Sequence, residues 1–166
     1  MRNVFMFIVY FAIMLIGSAV AVNGQEVQCW TQDTSTDVMT DVVKRMVYVR
    51  ASDYSDKEPM LFMKCDSDNS LVIGVGHGSR IKKPNVEVRF NDKSAWSKVQ
   101  WWSSPSGSLA IVPDAYIERF FNELLSNQTV TIRITDPLDG ETVWGKFCIS
   151  GTGMIISNFT CCPRKK

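Results

Sequence analysis

The chain has 166 residues, of which 45% are hydrophobic and 21% are charged, and its formal net charge is +1. This length and balance predict one folded domain and exclude an intrinsically disordered chain. The near-zero charge excludes nucleic acid as the main partner, because phosphate contacts need a clustered excess of Lys and Arg.

The N-terminus has the features of a secretory signal peptide. Arg2 precedes an uncharged run over 4–22, which ends in small residues that include Ala19 and Ala21. A positive start, an apolar middle and an A-x-A site are typical of a segment that is cleaved on export. An uncleaved anchor is the alternative, since the run could nearly span a bilayer. We expect a mature protein that is periplasmic or secreted, divided into a signal peptide at 1–24, a single domain at 25–163 and a basic tail at 164–166.

Short candidate strands recur along the domain and are separated by polar turns such as "DSDNS", "NDKS" and "DPLDGE". They lie at 42–51, 60–65, 71–75, 86–90, 109–112, 129–135, 142–149 and 154–160. Alternation is clean in "TVTIRIT", which places its Val and Ile residues on one face. Many short strands with turns between them predict an all-β fold, an antiparallel β-sandwich.

One segment has a helical period instead. In "PDAYIERFFNELLSNQ" the apolar residues follow i, i+3, i+4, i+7, i+8 spacing and are Ile117, Phe120, Phe121, Leu124 and Leu125. This spacing predicts one amphipathic helix at about 114–126, packed on the sandwich. Asn127 is the predicted helix stop. It also begins one of two N-x-T sequons, the other of which starts at Asn158.

Five cysteines predict disulfides rather than a metal site. An exported protein meets an oxidising compartment, and the chain has no C-x2-C pair, so we predict no metal. Adjacent cysteines pair with each other only under strain, so the two near the C-terminus are expected to take separate partners. The disulfide candidates are Cys29, Cys65, Cys148, Cys161 and Cys162.

Residues able to do chemistry are sparse and lie in turns. His77, the single histidine, is in "GVGHGSRIKK" without a nucleophile motif, so we expect a solvated, dispensable turn residue. The carboxylate pairs Asp66/Asp68 and Asp136/Asp139 also fall in turns, where Asp commonly bonds nearby backbone. The sequence therefore predicts no catalytic residue, no enzyme activity and no cofactor.

Two features are candidates for binding a protein partner. The first is a pair of basic clusters, which are Arg80, Lys82 and Lys83 in one turn and 164–166 in the tail. They are either solvated or contact an acidic partner or an anionic envelope surface. The second is Trp101 and Trp102, followed by the loop "SSPSGS". Adjacent strand residues point to opposite faces, so one tryptophan is expected in the core and the other outside, as an interaction anchor or packed under the loop.

The order of motifs adds a resemblance. Trp30 is followed by "TSTDVMTDVVKRMVYVRAS", "EPMLFMKC", "VEVRFNDKSAW" and "WWSSPSGSLAIV", then by the helix, "TVTIRITDP", "VWGKFCISG" and a terminal cysteine. Over about residues 30–162 this order resembles the type VI secretion-associated periplasmic proteins of the VasI/TagO kind. The architecture also resembles the wider group of exported sandwich proteins that includes invasion-associated B-type proteins.

The resemblance implies a non-enzymatic exported accessory protein that acts through protein–protein interaction. It also implies a bond from Cys65 to Cys161 or Cys162, the matched positions, which leaves Cys29 and Cys148 as candidates for a second bond. Arg89 falls at the family's arginine position and is expected to be structural or surface-pairing. The alternative function is a secreted inhibitor or effector-binding module that docks on an extracellular hydrolase or a host protein.

Overall fold

The computed structural model describes residues 29–36, 43–66, 70–91, 93–96 and 98–157. In these ranges the strands form two antiparallel sheets, and one cluster of buried apolar residues lies inside. The predicted all-β sandwich with a helix packed on it is confirmed. None of the helices in the described residues is long and apolar enough to cross a membrane.

The strands of the described residues follow in chain order. They are β1 Thr31–Thr36, β2 Val43–Arg50, β3 Asp53–Tyr54, β4 Met60–Cys65, β5 Leu71–Gly76, β6 Asn85–Phe90, β7 Val99–Gln100, β8 Trp102–Ser103, β9 Leu109–Ile111, β10 Thr129–Thr135 and β11 Thr142–Cys148. One sheet has six strands in the order β1-β2-β4-β5-β9-β8, and the other has five in the order β3-β11-β10-β6-β7.

Alternation along the strands builds the core from both sheets. In β10 the burial pattern places Val130, Ile132 and Ile134 inside, with threonines and an arginine between them. In β5 the residues Leu71 and Ile73 face inward in the same way. Because successive side chains of a strand point to opposite faces, each sheet has one face toward the core and one face toward the outside.

A helix, α1 at Asp114–Ser126, follows β9 and confirms the predicted 114–126 segment. Phe120 and Leu124 are fully buried, and the Phe120 ring centroid lies 5.4 Å from that of Phe90. The helical spacing predicts Leu125 on the apolar face, but its side chain is 45% exposed, since only the centre of that face meets the core. The helix ends at Asn127, as predicted, and the Asn127 side chain donates to the Glu123 carbonyl at 2.7 Å.

The strand predicted at 154–160 is wrong over its described part. Residues Thr152–Ile156 form a second helix, α2, which begins after Gly151 in the left-handed region at φ 80°. The indole of Trp30 donates to the Thr152 hydroxyl at 2.9 Å, which joins the start of the described chain to this helix. The apolar run "MII" has no period of two, so it could not specify a strand face. Residues 158–160 lie outside the described residues.

Candidate functional site

The two adjacent tryptophans lie where the chain passes from β7 of one sheet to β8 of the other. Trp101 is 4% exposed, and its ring meets that of Phe120 edge-on with 5.6 Å between centroids. Trp102 is 52% exposed and pairs across the ladder with Ile111. The prediction that the two side chains point to opposite sides is confirmed, because consecutive extended residues alternate.

The turn at 80–84 is held against the segment that carries Trp102. The N–H of Trp101 donates to the Pro84 carbonyl at 2.9 Å, and the N–H of Ile81 donates to the Gly107 carbonyl at 2.9 Å. The Ser103 hydroxyl donates to the Ile81 carbonyl at 2.8 Å. The basic turn and the tryptophan segment are separate candidates in the sequence, and these bonds unite them.

The Trp102 surface consists of Trp102 and the exposed basic residues of this turn, Arg80, Lys82 and Lys83. Within the described part of the chain, none of these basic side chains forms an ion pair. Ile81, between them in sequence, is fully buried and anchors the turn. The surface thus presents one aromatic side chain beside free positive charge on a fixed backbone.

Gly107 allows the loop at 103–108 to approach the basic turn at 80–84 closely. Its φ of +75° lies in the left-handed region, which favours glycine. A Cβ built on it would lie 3.3 Å from the Arg80 Cγ and 3.3 Å from the Ile81 nitrogen. Any larger residue would therefore strain the backbone and push the basic turn away from the loop.

Three bonded side chains, Lys57, Ser79 and Glu141, hold the loop that leads into the basic turn, and we call them the Ser79 clamp. The Lys57 Nζ donates to the Ser79 hydroxyl at 2.9 Å, and that hydroxyl donates to the Glu141 Oε1 at 2.6 Å. Lys57 and Glu141 are 3.6 Å apart. Because Lys57 precedes β4 and Glu141 precedes β11, the clamp joins the 77–84 loop to both sheets.

The expectation for His77 is wrong: the side chain is fully buried, not solvated. Leu71, Ile73 and Val75 alternate into the core, and the same period carries His77 inward two residues later. That alternation is the sequence signal that would have placed it. Its backbone N–H donates to the Ser108 carbonyl at 3.0 Å, so it lies under the loop next to the Trp102 surface.

Neither ring nitrogen of His77 has a hydrogen-bond partner within the described residues. Burial lowers the pKa of His77 from 6.5 to about 4, while the charge of Glu141 acts in the opposite direction and that of Lys57 lowers it further. The ring is therefore neutral at pH 7. With no base or nucleophile bonded to it, the arrangement differs from that of a catalytic histidine.

The carboxylates of the 136–141 turn have local roles. Asp136 accepts from the Leu138 N–H at 2.9 Å, and Asp139 accepts from the Glu141 N–H at 2.8 Å. Both bonds are the usual turn bonds of aspartate. Of the other pair, Asp68 lies outside the described residues. Within the described ranges no group of three or more His, Cys, Asp or Glu residues could hold a metal ion.

The disulfide framework is confirmed in one of its two predicted bonds. Cys29 and Cys148 are bonded, with 5.7 Å between their Cα atoms and a sequence separation of 119. Cys65 is also disulfide-bonded. Its implied partners, Cys161 and Cys162, lie outside the described residues, so that pairing stays a prediction.

Arg89 lies on the outer face of the five-stranded sheet, next to Thr131 in the ladder of β6 and β10. It lines a groove of about 290 Å³ together with residues that include Arg133 and Lys146. Arg133 forms an ion pair with Glu87 at 3.3 Å. The groove is polar and mixed in charge, and this position agrees with a surface role for Arg89.

The first sequon is engaged in the fold. Asn127 is 7% exposed, and its amide nitrogen donates to the carbonyl and to the carboxylate of Glu123. Its amide oxygen accepts from Asn91 at 3.0 Å. An attached glycan would have to break this network. Asn158 lies outside the described residues.

The comparisons with known proteins bear on the fold. A solved structure, the crystal structure of invasion associated protein B from Bartonella henselae, is similar with a TM-score of 0.53 at 8% sequence identity. The match covers 79% of this chain and 91% of that chain, and at this identity it shows the fold alone. It agrees with the predicted all-β sandwich. No protein-family model and no curated protein matches the chain.

Proposed function

We propose that this protein is a non-enzymatic exported accessory protein that acts through protein–protein interaction, assisting a bacterial type VI secretion apparatus like the family it resembles. The observation that carries the proposal is the Trp102 surface. A tryptophan that is 52% exposed stands beside three basic residues on a backbone fixed from both sides. Exposed tryptophans on rigid scaffolds are frequent anchors of protein interfaces.

The construction of the surface supports binding. Ordering a flexible loop on association opposes affinity, and a surface that is already ordered avoids that loss. Here the Ser79 clamp, buried Ile81 and the close approach at Gly107 hold the turn in place. The Cys29–Cys148 bond supports export, since structural disulfides persist in oxidising compartments.

A secreted inhibitor or effector-binding module is the second candidate. An inhibitor also needs an aromatic anchor beside polar groups that can bond to its target, and Trp102 and the serine-rich loop at 103–108 provide them. Hydroxyl bonds join Ser104 to Ser106 at 3.0 Å and Ser106 to Ser108 at 2.7 Å. The identity of the captured partner separates the two candidates.

The test compares Trp102→Ala with Trp101→Ala in the tagged full chain, expressed in the organism that produces it. Proteins bound in the extracytoplasmic fraction are identified by mass spectrometry, and melting curves are recorded for both variants. We expect Trp102→Ala to lose the partner without a change in melting temperature. Recovery of a component of the secretion apparatus supports the first candidate, and recovery of a hydrolase supports the second. Capture that survives Trp102→Ala would refute both.

A further inference from the structure

The outer face of the six-stranded sheet carries an apolar row that ends at Trp102. The ladder registers align one residue from each of five neighbouring strands, which are Tyr48, Phe62, Gly74, Ile111 and Trp102. Their strand neighbours, such as Val47, Leu61 and Ile73, are the buried core residues. Because side chains alternate, the row faces away from the core.

The rows on either side are largely apolar, but each contains one exposed basic residue, Lys64 in one row and Arg50 in the other. Met46 and Val72 flank the central row on one side, and Met60 and Leu109 flank it on the other. All four are partly buried. Outer faces of two-layer sandwiches are normally polar. Partly exposed apolar side chains that lead to an exposed tryptophan on such a face favour an interaction site.

Phe62 shows how this face is packed. It is 4% exposed, although it belongs to the outer row and not to the core cluster. A Cβ built on Gly74 would lie 2.8 Å from the Phe62 Cζ, so the ring rests on the glycine backbone. The centre of the row is therefore closely packed, and the side chains of the row that remain accessible to a partner are Tyr48, Ile111 and Trp102.

The charges around the row indicate what it would bind. Arg50 forms an ion pair with Glu58 at 3.1 Å, and among the described strand residues of this face the acidic side chain of Asp33 lies on the far edge strand β1. Lys64 is exposed on β4, without an ion pair in the described ranges. At the Trp102 end the basic turn adds Arg80, Lys82 and Lys83. Net positive charge therefore concentrates where the row ends.

We propose that the row from Tyr48 to Trp102 is the docking surface for an extended segment of a different protein, one that carries apolar side chains along its length and acidic residues at one end. This inference rests on the proposed function and names the partner's chemistry. The apolar side chains would cover Tyr48 and Ile111, and the acidic end would lie against the 80–83 turn. Desolvated apolar contact supplies affinity, while the charges set the orientation.

The test places a photo-crosslinking amino acid, p-benzoylphenylalanine, at single positions of the full chain in the producing organism. The positions are Tyr48, Ile111 and Trp102, with Thr131 on the outer face of the other sheet as the matched control. We expect the first three to crosslink one and the same protein, through peptides rich in apolar and acidic residues. Thr131 should give no such product.

Each other outcome overturns the inference in a recognisable way. Crosslinks at Trp102 alone would refute the extended surface and leave the proposed function standing. Crosslinks to a second copy of this chain, to residues 1–24, or to a peptide without acidic residues would refute the stated occupant. Equal yield at Thr131 would refute the choice of face. No crosslink at any of the three positions would remove the proposed function as well.

A substitution gives an independent readout. Ile111→Lys should weaken binding of the identified partner by roughly 30-fold, the size expected for loss of an interface anchor. Thr131→Lys should leave the affinity unchanged. Melting curves of both variants show whether the fold is intact. If Ile111→Lys folds and binds as well as the unsubstituted protein, the row is not the docking surface.

Discussion

The two outer faces of the sandwich differ in chemistry although their strands are built by the same alternation. The central row of the six-stranded sheet includes Tyr48, Phe62 and Ile111. The comparable row of the five-stranded sheet is Arg89, Thr131 and Lys146. The row of the five-stranded sheet is polar, as is usual for a face in contact with water. The apolar row of the six-stranded sheet therefore needs a separate explanation. The difference teaches that core packing alone does not account for this chain's apolar residues.

The largest expected effect separates a core tryptophan from a surface one. Trp101→Ala should lower the free energy of unfolding by about 3–5 kcal/mol, because it removes a buried ring packed on Phe120. Trp102→Ala should change it by less than about 0.5 kcal/mol, as at ordinary exposed positions. Urea unfolding of both variants measures the two values. Equal losses would mean that Trp102 is also part of the packing.

A second prediction concerns the loss of stability in acid, which we expect from His77, the buried residue next to the Trp102 surface. The pKa of His77 is lowered to about 4 in the folded chain, whereas the unfolded chain binds the proton near pH 6.5. Stability is therefore fully present above about pH 6.5 and is lost as the pH falls toward 4. The difference corresponds to about 3 kcal/mol.

The matched variant for this prediction is His77→Phe, which fills the site without a titrating group. The free energy of unfolding should fall less steeply between pH 6.5 and 4 in the variant than in the unsubstituted protein. Subtracting the two curves removes the carboxylates that titrate in both. Parallel curves would show that His77 does not titrate in the way its burial requires.

A smaller effect tests how the apolar face is packed. Gly74→Ala should destabilise the fold by about 1–3 kcal/mol, since the new Cβ would lie 2.8 Å from the Phe62 ring and 2.8 Å from the Ala110 carbonyl oxygen. Gly76→Ala is the control on the same strand and face, where the nearest atom is 3.5 Å away. Thermal unfolding compares them. Similar melting temperatures would contradict the close contact between Phe62 and Gly74.

Helices and strands whose apolar pattern repeats over many residues could be predicted from the sequence. The helix at Asp114–Ser126 and strands such as Thr129–Thr135 and Met60–Cys65 were found because their patterns extend over several turns or residues. The strands β3, β7 and β8 have two residues each and show no period, so they were missed. The strand β1 was also missed, because "TQDTST" is polar on both faces.

The candidate site was predictable only in parts. Alternation predicts that one of Trp101 and Trp102 is exposed, but the contact with the 80–84 turn depends on hydrogen bonds between distant segments. The sequence prediction for His77 is wrong because the glycines on either side suggest a turn, while the alternation of β5 continues to it. The apolar row could not be read from "MLFMKC" or "LVIGVG", since strands apolar on both faces are also typical of a fully buried sheet.

The central claim is that the outer face of the six-stranded sheet binds the partner and that of the five-stranded sheet does not. The most direct measurement is the affinity of the identified partner for Trp102→Ala and for Arg89→Ala, by calorimetry, with the melting temperature of each variant recorded. The account predicts a loss of roughly 30-fold for Trp102→Ala and no change for Arg89→Ala, with both variants folded. A loss for Arg89→Ala with full affinity in Trp102→Ala would contradict it.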